Sequence, residues 1–186
     1  MNVWLVVAFL GYLCWLLSEL IEWSTGRFNV AVVMFTALFN LLLAVGVWAV
    51  IHRLAAKWDW WMKLTSLILS LSHLGLAVLP LHVVWSGDGL RFILGAYPIY
   101  LVFLLAWMLG MVVVSVLVIR ARHIPGALGW ALFVALGLLV VVRTLALPAA
   151  WIHLVSMLLC LLMIRITWLG LIAADARTGA VRNGSW

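Results

Sequence analysis

The chain has 186 residues, of which 69% are hydrophobic and 9% charged, and its mean hydropathy is +1.31. Soluble domains are about 45–50% apolar and about 25% charged, so a water-soluble globule, a disordered chain and a disulfide scaffold are excluded. The net charge of +6 and the pI near 10.2 do not indicate a nucleic-acid partner. The basic residues stand singly or in pairs between apolar runs, with no arm and no stripe, which is how membrane proteins fix their topology.

A helix needs about 20 apolar residues to cross the hydrocarbon. Six runs are long enough: Val3–Trp23, Asn29–Ile51, Leu64–Trp85, Phe92–Ile119, Gly126–Leu145 and Ala149–Ala174. The predicted fold is therefore an all-α integral membrane protein, a six-helix transmembrane bundle forming one polytopic domain.

The first run lacks a basic leader region and a small-residue cleavage site, so it reads as a retained span rather than a signal peptide. Glu19 and Glu22 stand at i and i+3 near its end. The second run carries a single Asn40, expected to make a packing hydrogen bond. In the following connection, Trp58-Asp59-Trp60-Trp61 reads as an interfacial anchor. Ser66, Ser70 and His73 share one face of the third run at i, i+4, i+7, and His82 lies three residues before Trp85.

The fourth run is long enough to tilt, or to kink at Pro98. Ala106 and Gly110 form a small-xxx-small pair on it, as Ala127, Ala131 and Ala135 do on the fifth, and both predict close helix packing. Pro148 suits the start of the sixth run, making runs five and six a tight hairpin. His153 follows Trp151 by two residues, and Arg165 lies deep in this last run. Cys14 and Cys160 are both inside apolar runs and read as small core residues.

Orientation follows from the basic residues. Arg53, Lys57, Lys63, Arg120, Arg122, Arg177 and Arg182 fall on one side, and Arg27, Arg91 and Arg143 on the other. The seven-charge side is expected to be cytoplasmic, with both termini inside, in a cell membrane of the bacterial inner-membrane kind. The connections are short, which leaves no room for a soluble catalytic domain, and no phosphate loop or nucleophile elbow occurs.

Four polar groups fall at one expected depth, each within about 6 Å of its helix end: Glu19, Glu22, His82 and His153. Asp88, Arg91 and Arg143 are expected close to that level. Two carboxylates with two imidazoles are a donor set for a transition metal, or an acid and a base. His82 and His153 alone are a bis-histidine pair for non-covalent haem b; His52 and His123 form a second such pair at the cytoplasmic edge. The plain alternative is a polar rim at the cheapest depth for polar groups.

Arg165 lies about 13 Å from the end of its run, where no acidic residue of the chain is expected. Its counter-charge should come from a lipid phosphate or a partner chain. The leading expectation is a non-catalytic integral membrane subunit of a larger complex, with lipid and a protein partner as its contacts. The alternatives are a haem-b electron-transfer subunit using His82 and His153, and a small transporter, channel or membrane-embedded enzyme using Glu19, Glu22, His82 and His153.

Overall fold

The computed structural model describes residues 3–26, 29–55, 58–86, 89–121 and 123–183, with the side chains of 79–80, 83–97 and 174–183 outside that description. The chain is all-helical in its regular structure: α1 (Val3–Thr25), α2 (Val30–Leu54), α3 (Trp60–Ser86), α4 (Gly89–Arg120), α5 (Gly126–Thr144) and α6 (Ala149–Asn183). All six are long and apolar enough to cross a membrane, which makes this a multi-pass membrane protein.

Caps, and not hydropathy, set several helix ends. Asn29 accepts the Val32 N–H through its side-chain oxygen at 3.0 Å and opens α2. Asp59 does the same for Met62 at 3.1 Å, so α3 begins at Trp60, four residues before its apolar run. At the other extreme, α6 continues past the last apolar residues to Asn183.

The α5–α6 turn is closed by backbone alone. Ala146 takes a left-handed conformation (φ 48°), its N–H reaches Arg143 O at 3.3 Å, and Leu147 N–H reaches Val142 O at 3.1 Å. This pair of bonds is a Schellman motif, which satisfies carbonyls that water would otherwise have to meet. Pro148 then leads into α6 with its carbonyl bonded to Trp151 N–H at 2.9 Å.

Each helix packs on the next in sequence, and α6 packs back on α1, so the bundle is a closed ring in chain order. α2 also reaches α4 and α6, which draws it toward the interior. Lipid tails are as apolar as leucine, so close fit and hydrogen bonds must hold such a bundle together. At the α1–α2 seam, a Cβ on Gly46 would lie 2.7 Å from Ala8 Cα, so the two backbones nearly touch.

At the α4–α5 seam the close approach belongs to Gly129, where a Cβ would lie 2.7 Å from Ser115 O. The expected alanine series does not make this contact: Ala127 and Ala131 face outward, and only Ala135 is buried. Between the helices, Trp15 stacks on Phe39 (5.4 Å) and meets Trp107 edge-on (5.7 Å), tying α1, α2 and α4 at the core. Buried hydroxyls of Ser66, Ser72, Ser115 and Thr167 donate to carbonyls one turn back, so they need no water.

Candidate functional site

The α1–α6 seam brings ionisable groups together inside the span. Glu19 is on α1, about 9 Å from its Thr25 end, and His153 is on the first turn of α6. Glu19 Oε2 and His153 Nδ1 are 2.7 Å apart, and both side chains are mostly buried (16% and 14% exposed). Trp15 Nε1 donates to the other carboxylate oxygen at 3.1 Å. Trp15 is held in turn by its stacking in the core, so Glu19 has a fixed orientation.

Against an ionised carboxylate, which only accepts, Nδ1 of His153 carries the proton. That leaves Nε2 as the basic atom, able to accept a proton or to serve as one ligand of a metal. Glu22, three residues beyond Glu19, is within electrostatic reach of His153, Glu19 and Arg143. The site is thus a Glu-oriented imidazole with a second carboxylate and a guanidinium at its margin.

His82 does not join this group by helix neighbourhood. It is exposed on α3, a helix with no extended interface with α6. Matching depth therefore brings Glu19, Glu22 and His153 together, while His82 stands on a helix outside the α1–α6 seam. Among the described residues, no three of His, Cys, Asp and Glu are grouped so as to hold a metal ion. Asp88 lies outside the described residues, as do Arg27, Lys57 and Arg122 of the orientation count, and the side chains of Arg91, Arg177 and Arg182 are likewise outside the description.

No family model, curated protein or solved structure matches this chain.

A second polar pair, whose members the sequence offered separately (Asn40 as a packing hydrogen bond, His73 on the Ser66–Ser70 face), lies deeper. His73 Nδ1 meets Asn40 Oδ1 at 2.8 Å, and each residue is 2% exposed. Asn40 Nδ2 donates to Thr36 O at 2.9 Å, and Thr36 shares a 2.8 Å hydroxyl contact with Ser18. This chain of bonds links α1, α2 and α3 through the bundle. The findable signal was depth: Asn40 and His73 each stand near the middle of adjacent spans.

Arg165 faces outward. The exposed stripe of α6 runs through Leu154, Leu158, Leu161, Arg165, Trp168 and Ile172, while Met157, Cys160 and Thr167 line the buried face. Arg165 makes no ion pair or hydrogen bond with a described residue, and it stands about 12 Å inside the Ala173 end of the apolar span.

Proposed function

We propose that this chain is a non-catalytic integral membrane subunit of a larger complex, docked on a partner through its helices. Both termini are cytoplasmic in this reading, by the seven-to-three basic asymmetry. The observation that carries it is Arg165, a charge on an otherwise apolar outward stripe with no partner among the described residues. An arginine at the helix centre costs about 2.5–3.5 kcal/mol on insertion scales. A carboxylate from a neighbouring helix offsets that with bidentate geometry that a lysine cannot supply.

The test is a photo-crosslinking residue at Leu161, beside Arg165, with another at Val134 on the exposed face of α5 as control. The expected result is one discrete partner band from position 161 and none from 134. Arg165→Leu should abolish the band while the purified chain keeps its thermal stability. A stability gain with no band from either position assigns Arg165 to lipid phosphate and overturns the subunit reading.

A second reading is favoured by the 2.7 Å Glu19–His153 pair. A carboxylate-oriented imidazole within a span suits proton movement by a small transporter or channel, or acid–base work by a membrane-embedded enzyme. Haem ligation by His82 and His153 would have to bridge helices that are not neighbours in the ring.

A further inference from the structure

We infer that the groove between Trp48 and Ser70 is a binding site for one anionic phospholipid of the cytoplasmic leaflet. The inference rests on the orientation given above for the leaflet, and on separate residues for the site itself.

Ala44, Val45, Trp48, Ala49 and His52 form one stripe of α2 at helical spacing, about 12 Å long. Trp4 of α1, Trp58 of the connection and Ser70 of α3 complete the walls of a groove of about 490 Å³ that opens sideways from the bundle. That volume is in the range of small-molecule sites, which are about 300–1,000 Å³. Two bonds fix the wall: Trp48 Nε1 donates to Ser70 Oγ at 2.7 Å, and Ser70 donates to Ala44 O at 2.6 Å. The polar groups of the floor are therefore already engaged, and the groove offers apolar and aromatic surface to its occupant.

The two ends differ in chemistry. At the Ala44 end the groove is apolar and lies about 15 Å inside the Leu54 terminus of α2. At the other end His52 is exposed and meets Trp58 edge-on at 4.9 Å, and Trp58 meets Trp48 at 6.0 Å. Lys63 stands seven residues before Ser70 on the same face of α3, two turns nearer that end. It is exposed and forms no ion pair with a described residue. Asp59, the acidic group closest in sequence, directs Oδ1 to the Met62 N–H as the cap of α3.

An apolar slot parallel to the helices, closed by aromatic rings at the interface and followed by a cation, matches a lipid in order: chain, glycerol region, phosphate. The aromatic rings suit the interfacial level. A net negative headgroup is selected over a zwitterionic one because Lys63 offers an exposed ammonium, not held in an ion pair with a described residue, to a leaflet rich in anionic lipid.

The full chain is extracted gently from bilayers of equimolar phosphatidylglycerol and phosphatidylcholine, and its retained lipids are counted by native mass spectrometry. We expect one phosphatidylglycerol per chain, retained about fivefold over phosphatidylcholine, as one lysine near a charged surface supplies. Lys63→Gln should reduce the preference below twofold. Val45→Phe, which fills the groove from an exposed position, should remove the retained lipid altogether. Equal retention of the two lipids overturns the inference, as does a preference that survives both substitutions. The fate of the Arg165 crosslink is read separately, so a failed subunit reading and a failed lipid site are distinguishable.

Discussion

The Asn40–His73 pair allows the sharpest energetic test of the bundle. Hydrogen bonds between membrane helices average about 0.6 kcal/mol and reach about 1.7. This pair belongs at the upper end, because both residues are 2% exposed and the Asn40 amide is already committed to Thr36 O. Replacing one member by leucine removes the bond and leaves the other group buried without a partner, at about 1–3 kcal/mol. Asn40→Leu and His73→Leu should therefore each cost about 2 kcal/mol. The double substitution should cost about 2.5–3 kcal/mol, well below the sum, with a coupling of about 1–1.5 kcal/mol. Unfolding by a denaturing detergent can be followed through the thiol of Cys160, which is fully buried, in a Cys14→Ser background. Additivity to within about 0.3 kcal/mol would show that the two side chains do not act as a unit, and the reasoning would fail.

Three further outcomes are expected. Gly46→Val should destabilise the α1–α2 seam by about 1–3 kcal/mol, while Gly137→Ala, which meets nothing within 4 Å, should leave the midpoint unchanged or raise it; the same thiol assay reads both. Nitrogen NMR of the His153 ring should report the Nδ1-protonated tautomer, and Glu19→Gln should let the Nε2-protonated form appear. Reporter fusions after Gly87 and after Trp186 should give periplasmic and cytoplasmic signals respectively; a cytoplasmic signal at Gly87 would reverse the orientation.

The six spans were legible because hydrocarbon thickness writes itself into the length of apolar runs. Part of the candidate site was legible too, since Glu19 and His153 share a depth and meet. His82 shares that depth and stands on a helix with no extended interface with α6, because depth along the bilayer normal says nothing of which helices are neighbours. The alanine series of α5 misled because small residues permit close approach without compelling it; Gly129, two residues after Ala127, took the contact. The start of α3 was hidden for a different reason. An aspartate cap, not apolarity, decided it.

The ring in chain order has a consequence for how the molecule is made. Five of its six seams join helices that leave the ribosome one after the other, so each can form as soon as its second member arrives. The sixth seam joins α1 to α6, and its central bond spans 134 positions of sequence. Until α6 arrives, Glu19 has the Trp15 indole beside it but has not met its imidazole. A chain stopped before α6 would leave that carboxylate facing lipid or water indefinitely. Arrival of His153 ends the wait, so the same contact that orients the imidazole also separates a chain that carries α6 from one stopped short of it.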